Sequence, residues 1–405
     1  MNVEYSRTVR WVAAVIINAT LSLSGCSLDD DNEVASAWTW TELGGPDAEV
    51  SPLTANHEPL VVTGTHLLLG TADGVWRRAL SGTDPWQRVG LDGLAVHAIA
   101  VTRDGSRVVA AGLDPDNDRA PTAWYSTDGG TSWTPASTWP QGPPGSPFEG
   151  VSFPFYALEP DAEDADVVYG GMSGDTVAVT VDGGATWVMS DGVSEPSFGD
   201  ACVPHRPAEV LVLLQGCELP LDTAWVGARR VIEQDRFSLP DFRFLYGYPN
   251  LEELENRRIN SIAGLRGRND RVLVGVEGGL VELTTQSGQW SDREDIAARW
   301  IMRVEESSTL PYAYIRAIAT LDAQGEHLLF GGTVNGENET LSLFETMDGG
   351  RNLSQLRAPM TLHDPRIEQA WRVDDRDILL VISEVDPEDT GPDAPHRPKV
   401  YRLQR

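Results

Sequence analysis

Positive charge is scarce in this 405-residue sequence. Lysine and arginine together number 31 against 61 aspartates and glutamates, so the formal net charge is −30, and Lys399 is the one lysine. A surface this acidic repels the phosphates of nucleic acids and anionic lipid head groups. We therefore expect no nucleic-acid partner.

Motifs for metal binding and nucleophilic catalysis are also missing. The seven histidines are scattered, with no pair at the spacing of a zinc site. No Ser/His/Asp set, phosphate-binding glycine loop or nucleotide fingerprint occurs in a suitable context. We predict no cofactor and no catalytic residue.

One loop alternates acids in the manner of a calcium loop, at Asp114, Asp116 and Asp118. The EF-hand pattern requires Gly where Arg119 stands and Glu where Tyr125 stands. A solvated loop is therefore the preferred interpretation, and a calcium site is the alternative.

Long apolar runs are absent as well, since the segment Trp11–Leu23 is interrupted by polar residues and is too short to span a bilayer. Arg7 and Arg10 precede it, as in an export signal. It runs into residues 23–26, Leu-Ser-Gly-Cys, which resemble the bacterial lipobox. The resemblance implies cleavage before Cys26 and lipidation of its thiol and amino group, which gives stable anchoring. An ordinary secretory signal is the alternative.

The lipobox divides the chain into a signal peptide (1–25), the lipidated cysteine with an Asp- and Ser-rich tether (26–36) and one domain (37–405). Ser27 rather than Asp follows the cysteine, which by resemblance to enterobacterial sorting favours the outer membrane. We expect a protein of the cell envelope, periplasmic or surface-exposed, that meets the membrane through its lipid anchor only.

Two further cysteines, Cys202 and Cys217, remain in the exported chain. An oxidising compartment favours a disulfide. The expected strand register places Cys217 about 15 Å beyond the residue that faces Cys202, whereas a bridge requires Cα atoms within about 7 Å. A disulfide and two free thiols both stay open, with the disulfide preferred.

A short β-rich run that ends in small residues recurs seven times, at intervals of roughly 40–60 residues, which is the blade length of propellers. The copies begin at Leu67, Val108, Val167, Val210, Val272, Leu328 and Ile378. Runs with small side chains precede several copies, at 97–100, 260–263 and 316–319, and suit an innermost strand.

These repeats predict an all-β fold, a seven-bladed β-propeller of four-stranded antiparallel blades. The chain ends at 400–403 without room for an outer strand, while an unpaired strand opens the domain at residues 37–43. We predict that this N-terminal strand completes the last blade and closes the ring, which removes exposed edges.

Three stretches share a hairpin pattern, at 126–133, 180–187 and, in degenerate form, 346–353. They resemble the Asp-box (BNR) motif of sortilin-type receptors, xyloglucanases, sialidases and photosystem assembly factors, and they indicate no single branch. The motif implies a carboxylate that accepts hydrogen bonds from turn amides and a tryptophan buried between blades. The residues given these structural roles are Asp128, Trp133, Asp182, Trp187 and Asp348.

The face opposite the Asp-box hairpins is the one that propellers usually use for ligands. Its candidate binding residues are His97, Tyr156, Asp175, Tyr246, Tyr248, Arg258 and Arg316. Flat aromatics there suit sugar rings or peptide side chains. The aromatic run at 242–246 is open to two interpretations, a ligand platform and the outer strand of blade four, and the strand is preferred.

Two functions remain open. The sialidase sequence Arg-Ile-Pro is absent, and the acidic residues are too numerous to nominate the carboxylate pair of a glycosidase. The preferred hypothesis is a monomeric scaffold that binds or assembles an envelope protein or polysaccharide. The alternative is an envelope glycoside hydrolase of the Asp-box type, which rests on analogy of fold.

Overall fold

The computed structural model describes twenty ranges of the chain: 38–50, 59–102, 104–116, 120–138, 155–161, 166–172, 176–191, 209–213, 224–228, 237–238, 243–244, 259–265, 270–276, 278–286, 295–304, 313–334, 340–358, 362–363, 365–385 and 395–405. In these ranges the regular structure is all β. None of the described residues forms a helix long and apolar enough to cross a membrane.

Six sheets of at least four strands form the blades of a β-propeller. Blade 1 contains β2 (Leu60–Thr63), β3 (His66–Thr71), β4 (Gly74–Ala79) and β5 (Gln87–Gly90). Blade 2 contains β6 (Ala95–Val101), β7 (Val108–Asp114), β8 (Ala120–Ser126) and β9 (Thr134–Pro135). Blade 3 contains β10 (Phe155–Pro160), β11 (Val168–Met172), β12 (Thr176–Thr180) and β13 (Val188–Asp191), and β16 (Phe237–Ser238) joins it in parallel.

The second half of the chain supplies the other three blades. Blade 4 contains β18 (Ile259–Gly264), β19 (Arg271–Val276), β20 (Gly279–Thr285) and β21 (Ile296–Arg303). Blade 5 contains β22 (Ala313–Thr320), β23 (Leu328–Val334), β24 (Thr340–Thr346) and β25 (Ser354–Leu356). Blade 6 contains β26 (Arg366–Asp374), β27 (Asp377–Val385), β28 (His396–Gln404) and, as its outer strand, β1 (Thr39–Gly44).

The prediction of seven four-stranded blades is wrong, because six such blades are described. The remaining sheet has three strands, β14 (Glu209–Leu213), β15 (Ala224–Ala228) and β17 (Arg243–Phe244). The repeat that begins at Val210 does form a strand, but β16 pairs with β13 of blade 3 instead of completing this sheet. A β-rich run specifies a strand, whereas the number of strands that pair with it depends on the rest of the fold.

The N-terminal strand completes blade 6. In this sheet β1 pairs antiparallel with β28, with Thr39 opposite Gln404 and Glu42 opposite Tyr401. Trp38, which precedes β1, is buried in the core between blades 5 and 6. The two ends of the chain therefore share one sheet, and β28 is paired on both of its edges.

Neighbouring blades meet through their inner strands and the strand next to them. The inner strands β18, β22, β26, β2, β6 and β10 contact one another in that order, which places blade 6 beside blade 1. Most of the apolar clusters combine residues from two adjacent blades, for example Leu60 and Leu69 of blade 1 with Val381 of blade 6. Burial of these strand faces is the main source of stability expected for such a fold.

The glycine that ends several copies of the repeat has a packing role. A Cβ on Gly70 would lie 2.9 Å from a side-chain carbon of Val96 in the next blade, and a Cβ on Gly275 would collide with the carbonyl oxygen of Ile315 in the next blade. The second strand of one blade therefore approaches the inner strand of the next so closely that a side chain has no room.

We expect Gly275→Ala to lower the free energy of unfolding by roughly 1–3 kcal/mol, because the added methyl group must displace backbone. Denaturant unfolding measures this loss. Gly105→Ala measures backbone strain alone, since Gly105 has a φ of +71° but nothing near its Cβ position, and it should cost about 1 kcal/mol. No loss in Gly275→Ala, which has no such strain, would contradict the packing argument.

The three Asp-box hairpins have the same hydrogen bonds. In the first, Ser126 Oγ donates to Asp128 Oδ1 at 2.8 Å, and Ser132 donates from its amide at 2.8 Å and from its hydroxyl at 2.6 Å. The second repeats this arrangement around Asp182. The hydrogen bonds from Ser132 hold the pKa of Asp128 at about 2.

The degenerate third hairpin keeps the turn although its sequence lacks the last two motif residues. Asn352 donates to Asp348 from its amide at 2.9 Å and from its side chain at 2.5 Å, in place of the hydroxyl of the motif. Leu353 stands where the other hairpins have Trp133 and Trp187. Trp187 packs against Phe155 with ring centroids 4.5 Å apart, whereas Leu353 is exposed.

Arginines connect each Asp-box hairpin to the preceding blade. Arg77 Nη1 of blade 1 donates to Thr131 Oγ1 at 2.8 Å, Arg107 of blade 2 donates to the carbonyl oxygen of Asp182, and Arg299 of blade 4 donates to that of Gly349 at 3.0 Å. Three of the 31 basic residues thus connect neighbouring blades.

We expect Asp128→Ala to lower the stability at neutral pH by roughly 1 kcal/mol, the net value of a few exposed hydrogen bonds. Because the pKa of Asp128 falls from 3.8 to about 2 on folding, this contribution is present above 3.8 and disappears as the pH falls toward 2.

Thermal unfolding between pH 7 and pH 2 measures this dependence. The gap in melting temperature between wild type and Asp128→Ala should close as the pH falls through that window. Asp84→Ala, which removes another exposed aspartate, should show no such gap. A gap that is constant with pH would contradict the assignment.

Candidate functional site

Five inner strands contain a β-bulge at the same point near the start of the strand. The pairing register shifts around residues 97, 156, 260, 316 and 368 in β6, β10, β18, β22 and β26 respectively. A bulge re-aims one side chain and is frequent at functional sites. We call this end of the blades, where the second and third strands are joined, the top face.

Three of the residues predicted from the sequence, His97, Tyr156 and Arg316, are bulge residues. The sequence reasoning missed Asn260 and Glu368. The signal that identifies them is the position in the repeat, directly before the residue that begins the regular part of the inner strand. The location of these residues at the start of an inner strand was therefore predictable from the repeat, but the shift in pairing register at that point was not.

His97 lies between blades 2 and 3 and is fully buried. Its Nε2 donates to the carbonyl oxygen of Phe155 in blade 3. Burial lowers the pKa of His97 to about 4, so the imidazole is neutral at neutral pH. The structure thus places this candidate binding residue in a contact between blades and not on an open surface.

Other side chains beside the bulges make similar contacts between blades. Ser261 Oγ of blade 4 donates to the carbonyl oxygen of Ile315 in blade 5 at 2.7 Å. The amide of Leu60 in blade 1 donates to Gln369 Oε1 of blade 6 at 2.8 Å. The start of the inner strands therefore joins neighbouring blades as well as lining the top face.

Arg316 and Glu368 form an ion pair between blades 5 and 6. Arg316 Nη1 lies 3.7 Å from Glu368 Oε2, and Ser383 Oγ donates to the other carboxylate oxygen. Burial raises the pKa of Glu368, and the Arg316 charge opposes that rise. Among the described residues, Arg316 Nε has no hydrogen-bond partner, so this guanidinium retains a free donor.

A pocket of about 310 Å³ lies on the top face where blades 1 and 6 meet. Its lining comprises Asp47, Ala48, Glu49, Ala72, Asp73 and Arg397. Arg397 Nη1 donates to Asp47 Oδ1 at 2.6 Å, and Gly93 N donates to Asp73 Oδ1 at 3.1 Å. The pocket therefore presents fixed charges of both signs.

Several sequence predictions lie outside the described residues. They are Cys26, Asp118, Asp175, Cys202, Cys217, Tyr246, Tyr248 and Arg258. Part of the aromatic run is described as β17 (Arg243–Phe244), which pairs with β15, in agreement with the strand alternative. The amide of Asp116 donates to Asp114 Oδ1 at 3.0 Å. No cluster of metal-ligating side chains occurs among the described residues; the solvated loop stays a prediction, with a calcium site as its alternative.

The sheet topology defines this chain as a β-propeller, and three of its hairpins have the hydrogen bonds described above for the Asp-box pattern. No protein-family model matches the sequence, and no curated protein matches it. Among solved structures, the chain is similar to YCF48 from Cyanidioschyzon merolae, with 13% identity over 90% of this chain and 98% of that one, at a TM-score of 0.53.

Two further structures are similar at the level of the fold. The structure of YCF48 bound to D1 peptide has 12% identity over 91% of this chain and 95% of that one, with a TM-score of 0.53. The GH74 xyloglucanase from Xanthomonas campestris has 14% identity and a TM-score of 0.55. The similarity to the xyloglucanase covers 89% of this chain but 55% of that one.

We expect Arg316→Met to lower the free energy of unfolding by roughly 2–4 kcal/mol, because Glu368 is left buried without its ion-pair partner, and only the weaker coulombic influence of Arg366 remains. Adding Glu368→Gln should recover much of the loss, since the uncompensated charge is removed. Denaturant unfolding of the two single variants and the double variant measures the coupling. Additive losses would show that the pair does not interact.

Proposed function

We propose that this protein is a lipid-anchored scaffold of the cell envelope that binds a protein partner through the top face of its propeller. The observation that carries the proposal is the pocket on that face, which combines shape with fixed charges of both signs. A similar propeller has been solved with a peptide bound, which supports a polypeptide partner.

The lining of the pocket favours a charged polypeptide over a sugar. Glycan sites stack sugar rings on aromatic side chains, and the six residues around this pocket are acidic, small or basic. Asp47 is largely exposed and forms an ion pair with Arg397. Charged groups of a partner can replace this ion pair with new ones to Asp47 and Arg397. Electrostatic complementarity of this kind sets specificity and association rate.

The start of the propeller domain lies on the face opposite the pocket, which is compatible with an anchor on one face and a partner on the other. Trp38 and the start of β1 lie at the end of blade 6 opposite the top face, because Thr39 pairs with Gln404 near the C-terminus. The twelve residue steps from Cys26 to Trp38 reach at most about 40 Å when extended. In the proposal the lipid anchor and the partner therefore use opposite faces.

The partner-binding half is tested with the full acylated chain, tagged and cross-linked in bacterial envelopes. We expect a defined partner that wild type captures and that Arg397→Glu loses by at least tenfold. Arg376→Glu, an exposed arginine at the other end of blade 6, is the matched control and should capture normally. Equal capture by both variants would overturn the top-face site.

The anchor half is tested separately with Cys26→Ala. The variant should move from the membrane fraction to the soluble fraction and should lack the acyl mass of the wild-type chain. Wild-type protein that is soluble and unacylated would overturn the anchor. Release of reducing ends from an envelope polysaccharide by the purified chain would instead favour the hydrolase alternative.

A further inference from the structure

In the part of the chain that the structure describes, the exposed large apolar side chains are confined to the Asp-box hairpins. Among the described residues, the large hydrophobic side chains that are exposed are Met347 at 59%, Val181 at 44% and Leu353 at 37%. Val181 belongs to the hairpin of blade 3, and Met347 and Leu353 belong to the hairpin of blade 5. Val181 and Met347 stand at the same position of the motif, where the first hairpin has the polar Thr127.

Both hairpins lie at one end of the blades, which we call the Asp-box face. The amide of Gly183 donates to the carbonyl oxygen of Asp166 at 2.8 Å, and that of Gly349 donates to Glu326 at 2.9 Å. Each bond joins a hairpin to the turn between the first and second strands of its own blade. In blade 6 the C-terminal Arg405 makes the same bond to Arg376 at 3.0 Å.

The chain enters the propeller on this same face. Glu345, just before the third hairpin, accepts hydrogen bonds from His327 Nε2 at 2.8 Å and from Arg405 Nη1 at 2.7 Å. The Trp38 ring lies 6.4 Å from the His327 ring, and Arg405 lies over the Trp38 ring at 5.8 Å. Arg405 Nη2 is 3.6 Å from Met347 Sδ. Trp38, the first described residue, and the apolar hairpin of blade 5 are thus connected through Arg405.

We propose that the Asp-box face rests on the lipid bilayer into which the acyl chains of Cys26 insert, with Met347, Leu353 and Val181 in contact with the lipid surface. This inference rests on the anchor in the proposed function. A random-coil chain with the twelve residue steps from Cys26 to Trp38 has a root-mean-square length of about 20 Å, so an anchor at Cys26 would hold this face at a high effective concentration next to the bilayer.

Apolar side chains on a membrane-apposed face gain by leaving water, while the acidic surface of the chain disfavours anionic lipid. The contact should therefore be strongest on a zwitterionic surface. It also leaves the top face directed away from the membrane.

The experiment uses the full acylated chain in phosphatidylcholine vesicles, with a photo-reactive amino acid placed at one position at a time. Positions 347, 353 and 181 should form lipid adducts that mass spectrometry detects. Position 92, on an exposed turn at the top-face end of blade 1, is the control and should give none.

Each outcome bears on the proposal. Lipid adducts at 347 and 353 that fall when 30% phosphatidylglycerol is added support it. Absence of adducts at these positions in a chain that is acylated and bound to vesicles overturns it while leaving the anchor intact. Adducts to a second protein at 347 overturn it in favour of a protein interface. A chain that carries no acyl group would instead refute the anchor itself.

Discussion

The close approach of neighbouring blades is the constraint on which the rest of this structure depends. Gly70 and Gly275 let the second strand of one blade touch the inner strand of the next, and a side chain at either position would strike a neighbouring blade. Since blades meet mainly through these strands, the apolar clusters between them form only if that distance is kept. The bulges at the start of the inner strands lie at the same contact.

The positions of several arginines also follow from the close approach of neighbouring blades. With 31 basic residues against 61 acidic ones, self-repulsion destabilises a compact state. Arg77, Arg107 and Arg299 bridge from one blade to the next Asp-box hairpin. Arg271 and Arg299 share the buried Glu282, and Arg402 pairs with Asp377. Arginine suits these positions because its fork donates to several oxygens at once.

The two faces of the propeller differ in chemistry. The top face carries the pocket with Asp47 and Arg397, together with the Arg316–Glu368 pair. The Asp-box face carries the exposed apolar side chains and the entry of the chain at Trp38. In the proposed arrangement the apolar side chains contact the membrane and the charged top face contacts the partner.

The sequence by itself determined local structure: the strands, the three hairpins, and an N-terminal strand that needed a partner at the end of the chain. Strand periodicity and turn-forming residues are local features of the sequence, so strands and hairpins can be predicted without knowledge of the tertiary structure. Only the tertiary structure decided that the strands around Val210 form a three-stranded sheet instead of a seventh blade, and that His97 is buried between blades. Both outcomes depend on contacts between residues far apart in the chain, which a local pattern does not encode.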